Sequence, residues 1–141
     1  MEIINKMNLK FWSKGENESF ARLAVASFCS NIPFDVEEIS DIKTAVSEGV
    51  TNAIVHGYDG TMGEIEIDCE IYPDHVKIEI IDTGKGIDDV EKALTPFFTT
   101  KPDKERSGMG FTVMEGFMDK MDVKSSFGKG TKVTLIKNIK K

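Results

Sequence analysis

Apolar residues recur along the chain with two periods, a strict alternation and a three-to-four-residue spacing, which divide it into strands and helices. The clearest alternation is Glu64-Ile65-Glu66-Ile67-Asp68-Cys69-Glu70-Ile71, the pattern of a strand with one dry and one wet face. Val76 to Ile81 repeats it after the turn Tyr72-Pro73-Asp74-His75, and the two predict an antiparallel hairpin. Ile3 to Trp12, with Ile4, Met7, Leu9 and Phe11, predicts a half-buried first strand. Val123 to Ser126 and Thr131 to Ile136 predict two closing strands joined by Phe127-Gly128-Lys129-Gly130.

The helical period appears three times. From Glu16 to Ser30 the stripe Phe20, Leu23, Ala24 and Phe28 predicts a helix with Arg22 off its apolar face; Asn31-Ile32-Pro33 ends it, because proline cannot continue a helix. Asp35 followed three residues later by Glu38 predicts a capping box. It opens a second helix with the stripe Val36, Ile39, Ile42, Val46, Val50 and Ala53, ending near His56-Gly57. Gly110 to Met121 predicts a third, with Phe111, Met114, Phe117, Met118 and Met121 at helical spacing and the methionines as core filler. Before it, Asp88 to Leu94 suits a short helix, and Pro96, Pro102 and the charged run from Lys101 to Arg106 suit a mobile lid.

Composition narrows the picture. The 141 residues are the size of a single domain, expected to span 1–141. No apolar run approaches the roughly 18 residues that a membrane span needs. A net charge of -6 argues against a nucleic-acid surface, which draws its affinity from clustered Lys and Arg; protein partners are expected instead, with no membrane contact. Cys29 and Cys69 fit no metal spacing and read as buried thiols of a cytoplasmic protein. The basic end, Lys137 to Lys141, reads as a solvated tail.

The chemistry concentrates in three places. On helix two, about 100° per residue sets Glu48 and Asn52 on a stripe apart from Val46, Val50 and Ala53. A carboxylate there can accept a proton from an attacking hydroxyl or water, and an amide oxygen suits a magnesium that keeps waters and takes phosphates. Asp82 ends a strand before Thr83-Gly84-Lys85-Gly86, where the backbone can turn and approach a ligand. Its carboxylate would accept from an exocyclic amine, favouring adenine over guanine. Ser107-Gly108-Met109-Gly110 opens helix three, where free N–H groups attract phosphate, with Lys101 and Arg106 just upstream. No G-x-x-x-x-G-K-[ST] run exists, so a P-loop is excluded.

These pieces, in this order, resemble the gyrase, histidine-kinase, chaperone and MutL superfamily of ATP-binding domains, whose three boxes match Glu48 to Asn52, Asp82 to Gly86, and Gly108 to Gly110. The runs Glu48 to Tyr58 and Pro96 to Phe111 further resemble the sporulation anti-sigma factors within it. The resemblance implies a Bergerat-type ATP-binding fold, an α/β two-layer sandwich with a mixed, mostly antiparallel sheet and helices on one face. It implies Glu48 as catalytic base, Asn52 as magnesium ligand and Asp82 as the adenine-reading acid. Gly84, Gly86, Gly108 and Gly110 match nucleotide-contacting glycines, with Met109 between the last two; Arg106 and Ser107 match lid residues, Thr131 a late threonine near adenine, and Arg22 a partner-touching arginine. The activity implied is that of a homodimeric serine kinase using ATP and Mg2+, which phosphorylates an anti-anti-sigma protein and silences a sporulation sigma factor. Rival readings are a general-stress anti-sigma kinase, a detached histidine-kinase catalytic domain, and a nucleotide-gated binding module.

Overall fold

The computed structural model describes residues 2–87, 89–94 and 110–140. Among these residues five strands make one sheet: β1 (Asn5–Trp12), β2 (Glu64–Ile71), β3 (His75–Asp82), β4 (Lys120–Ser126) and β5 (Gly130–Asn138), in the order β1-β2-β3-β5-β4. Alternation in β2 and β3 places Ile65, Ile67, Cys69, Ile71, Val76, Ile78 and Ile80 on the dry face. The acids of β2 lie on the wet face, where Lys77 Nζ meets Glu70 Oε1 at 3.1 Å and Asn8 Nδ2 donates to Glu66 Oε2 at 2.7 Å. Every pairing is antiparallel, so the parallel component of the expected mixed sheet is missing among the described residues. β4 does run parallel to β3, but β5 folds back between them and takes up both ladders.

Helices cover the dry face: α1 (Asn17–Cys29), α2 (Val36–Asn52) and α4 (Gly110–Phe117), with a single turn, α3 (Val90–Ala93), before the last. The capping box forms as expected, Glu38 N–H donating to Asp35 Oδ1 at 2.7 Å and Asp35 N–H to Glu38 Oε1 at 3.1 Å. The chain continues past Asn52 into a π-helical turn, Ala53–Gly57, closed by Tyr58 N–H donating to the Ala53 carbonyl at 3.0 Å. Such turns are wider than an α-turn, and this one sets the direction in which α2 is left.

Several expected faces are corrected. α1 buries Ala21, Val25, Ala26 and Cys29, while Phe20 and Leu23 are 54% and 52% exposed. Small residues let α1 lie close to its neighbours, and the large ones point outward. Val36 is 88% exposed because it sits at the first position of α2, before the helix reaches the core. Ile4 precedes β1 and is exposed. α4 ends at Phe117, and Met121 belongs to β4, since the two-residue period already begins at Lys120. Lys137 is no part of a solvated tail: it is 7% exposed on β5. Cys29 and Cys69 are buried free thiols, and burial pushes the Cys29 thiol up to about 12. Among the described residues, no helix is long and apolar enough to cross a membrane.

Candidate functional site

Asp82 is the last residue of β3, a central strand, and only 6% of it is exposed. Its inward position follows from the alternation that buries Val76, Ile78 and Ile80. The backbone N–H of Gly84 donates to Asp82 Oδ1 at 3.0 Å, and that of Thr131 on β5 also turns toward the carboxylate. Burial still outweighs these bonds, and the Asp82 carboxyl is held above its ordinary range. A carboxylate offers about four acceptor positions, and two backbone donors leave room for a ligand donor.

The turn after Asp82 is built against the end of α2. Lys85 N–H donates to the Gly57 carbonyl at 2.8 Å, and a Cβ on Gly57 would lie 3.1 Å from the Asp82 carboxylate. A Cβ on Gly84 would strike the same Gly57 carbonyl, and one on Gly86, whose φ is +76°, would strike the Ser126 carbonyl. In the structure, the space made by these two glycines is therefore filled by protein backbone, which the sequence had reserved for a ligand.

Tyr58 and Ser125 hold this turn, and sequence reasoning missed both. The buried Tyr58 hydroxyl donates to the Glu64 carbonyl and accepts from Thr83 N–H at 2.9 Å. Ser125 Oγ donates to the Gly130 carbonyl at 2.9 Å, accepts from Ile87 N–H at 2.7 Å, and lies 2.8 Å from Thr131 Oγ1. Thr131 pairs directly with Asp82 across the β3–β5 ladder. The signal for Tyr58 was its place next to the glycine that ends helix two; Ser125 carried no local signal, since its partners lie on β5 and in the turn after β3, two segments that meet only in the folded chain.

Glu48 and Asn52 stand half-buried one turn apart on α2, ahead of the turn that reaches Asp82. Between them Gly49 is buried where α2 crosses the sheet, and a Cβ there would collide with the Ile80 side chain and lie 3.4 Å from Met114 Sδ on α4. That close approach fixes the height of Glu48 over the sheet. Gly110 is buried at the start of α4, which packs along α2. Lys101, Arg106, Ser107, Gly108 and Met109, and the lid as a whole, lie outside the described residues. Arg22 is away from the site on α1, where its Nε pairs with Glu18 Oε2 at 3.1 Å.

The described donors fit a nucleotide and a magnesium held mainly by phosphates. A buried carboxylate with spare acceptor capacity suits an exocyclic amine. No cluster of three His, Cys, Asp or Glu that would cage a metal occurs among the described residues; the Asn52 amide oxygen on α2 is of the kind that suits a magnesium held by one or two protein oxygens and its waters.

Fold and site together define an ATPase domain of the histidine-kinase type: residues 11–137 match the histidine kinase-like ATPase domain family, and the chain belongs to it. The RsbU and RsbW domains of a Mycobacterium tuberculosis protein share the fold, at a TM-score of 0.67 and 19% identity over 94% of this chain and 31% of that one. So does the mycobacterial sensor histidine kinase MprB, at 0.59 and 19% over 94% of this chain and 97% of that one. In sequence, the chain is 55% identical to the anti-sigma F factor of Thermoanaerobacter sp. (strain X514), over 99% of this chain and 97% of the relative. It is 56% identical to that of Clostridium acetobutylicum, over 94% and 93%.

Proposed function

We propose that this protein is an anti-sigma factor and ATP-dependent serine kinase, which binds and inhibits a sporulation sigma factor and phosphorylates a serine of an anti-anti-sigma protein. The observation that carries the nucleotide half is the buried Asp82 carboxylate, set against the end of the helix that bears Glu48 and Asn52. The partner half rests on the near-full-length likeness to proteins named anti-sigma F factor.

In this reading Asp82 accepts the adenine amine, and Thr131 supports it from the neighbouring strand. Glu48 accepts the proton of the attacking serine hydroxyl, a group that must lose its proton to become a nucleophile. Asn52 offers an amide oxygen to Mg2+, which when bound supplies charge neutralisation at the phosphates. Gly110 brings a backbone N–H to the start of α4, and the family resemblance assigns Gly108, Met109, Lys101, Arg106 and Ser107 to contacts with the same phosphates. The protein's share of catalysis is positioning and electrostatic stabilisation. Gly84 and Gly86 serve the site by shaping its turn, with nucleotide contact through their backbone.

A homodimer is part of the proposal. β1 is an edge strand, and Trp12, Phe20 and Leu23, on β1 and the helix that follows it, expose large apolar side chains, surface that a second copy would cover. Arg22, half-buried on α1 and turned away from the face that bears Phe20 and Leu23, is proposed to touch the sigma factor and the antagonist.

The test is transfer of labelled γ-phosphate from Mg-ATP to an anti-anti-sigma protein, with identification of the modified residue. Acid-stable phosphoserine is expected. Acid-labile phosphate would point to a histidine kinase instead, and ATP binding without transfer would leave a nucleotide-gated binding module.

A further inference from the structure

Lysine is rarely buried, because an ammonium removed from water needs partners, yet Lys137 lies beneath the helices on the inward row of β5 with Thr131, Val133 and Leu135. Its Nζ donates to the Phe117 carbonyl at 2.6 Å and to Asp41 Oδ2 at 3.3 Å. Phe117 is the last residue of α4, where carbonyls have no partner within the helix and the dipole is negative. Asp41 belongs to α2, seven residues before Glu48. Two helical turns separate them, so both project from about the same stripe, roughly 10 Å apart along the axis.

One ammonium thus fastens the far end of α4 to the helix that carries Glu48 and Asn52. Two further bonds secure the exit from α4 to the same stretch of β5: Asp119 N–H to the Ile136 carbonyl at 2.8 Å, and Asn138 N–H to Asp119 Oδ2 at 2.7 Å. α4 is only eight residues long, and a shift at its C-terminus is carried whole to Gly110 at its start. The adenine end has no such dependence, since Asp82, Thr131 and Ser125 are bonded to one another and to the strands.

We propose that Lys137 is a positioning residue for the phosphate half of the site, setting the register of α4 against α2 from the end of the helices remote from the nucleotide. This rests on the nucleotide reading above. It predicts a split between ligands: contacts to phosphate depend on Lys137, and contacts to adenine do not.

The experiment compares the unaltered protein with Lys137→Met and Asp41→Asn, titrating Mg-ATP by calorimetry and adenosine by NMR, below each variant's unfolding midpoint. Lys137→Met is expected to weaken Mg-ATP binding about tenfold, a scale consistent with sub-ångström misplacement, while adenosine binding stays within about twofold. Equal weakening of both ligands, the mark of a merely structural role, would overturn the proposal, as would no change in either. Asp41→Asn, which keeps the Phe117 bond, is expected to lose about threefold for Mg-ATP alone; should Lys137→Met not fold, the same split in Asp41→Asn decides. If the unaltered protein binds no ATP, the nucleotide reading falls and this proposal with it. If it does, and the variants match it, only the role of Lys137 is removed.

Discussion

The two ends of the candidate site are fixed in different ways. Around Asp82 the structure is local and bonded: Gly84, Thr83 and Ile87 each donate a backbone N–H to a side-chain oxygen, and Ser125 meets Thr131 across the β4–β5 ladder. Glu48 takes its place from the helix layer, with Gly49 letting α2 settle onto Ile80 and Met114 and Lys137 bonding α2 to α4 at the remote end. A bonded pocket is pre-formed for recognition, whereas a reacting group on a helix inherits its position from the whole helix layer. Changes at the first end should therefore act on adenine affinity and local stability, and changes at the second on phosphate placement and rate.

The largest effect tests that division most directly. Glu48→Gln keeps size and packing but removes the proton acceptor, so transfer should fall by about 10²–10⁴-fold, with Mg-ATP affinity within about threefold of the unaltered protein. A rate above about a tenth of the original, measured with labelled ATP, would remove Glu48 as base. Next comes Gly86→Ala. A Cβ at a φ of +76° faces the Ser126 carbonyl, and strain of this kind costs about 1–3 kcal/mol. The unfolding midpoint in denaturant should drop accordingly; an unchanged midpoint would show that the turn after β3 is less constrained than its bonds suggest.

Asp82→Asn separates recognition from stability. Mg-ATP should bind more than tenfold more weakly, a loss on the order of 1.4 kcal/mol, and unchanged affinity by calorimetry would remove Asp82 from the site. Apo stability should move the other way. Burial raises the Asp82 carboxyl above its unfolded value, so its contribution to stability is full below the unfolded value and is lost as pH rises through the folded one. At pH 7 the ionised carboxylate is a burden that Asn does not carry, and the variant should unfold at a higher temperature, an advantage that shrinks toward pH 3. An equal or lower midpoint at pH 7 would mean that the backbone donors outweigh burial.

The same division explains what was legible in the sequence. Strict alternation in Glu64–Ile71 and from Val76 to Ile81 located the hairpin that Asp82 ends, and the Asp35–Glu38 spacing located the start of α2, because each is a local rule that local residues satisfy. Helical spacing also put Glu48 and Asn52 on one stripe. It failed on α1, where the pattern chose Phe20 and Leu23 and the core took Ala21, Val25 and Cys29: close packing of layers rewards small residues, which a hydrophobicity pattern ranks low. Gly84 and Gly86 were visible as glycines, but what presses against them comes from Gly57 and Ser126, distant in sequence. Lys137 was misread for the same reason, since its partners Asp41 and Phe117 meet it only in the folded chain.

Tyr58→Phe should give the smallest effect and the finest test of the bonded end. Removing one hydroxyl leaves the Thr83 N–H and the Glu64 carbonyl without that partner while the ring keeps its place beside Gly63, where a Cβ would meet it. The cost should be about 1–2 kcal/mol in stability, the net worth of the two bonds lost. Because Thr83 follows Asp82 directly, Mg-ATP affinity should fall about threefold, and adenosine affinity with it, since the disturbance lies at the adenine end. Transfer at saturating Mg-ATP should stay near its original rate, because α2 holds Glu48 independently of this hydroxyl. A loss of rate without loss of affinity would mean that the turn after β3 and the catalytic helix move as one body, and that the two ends are not held separately.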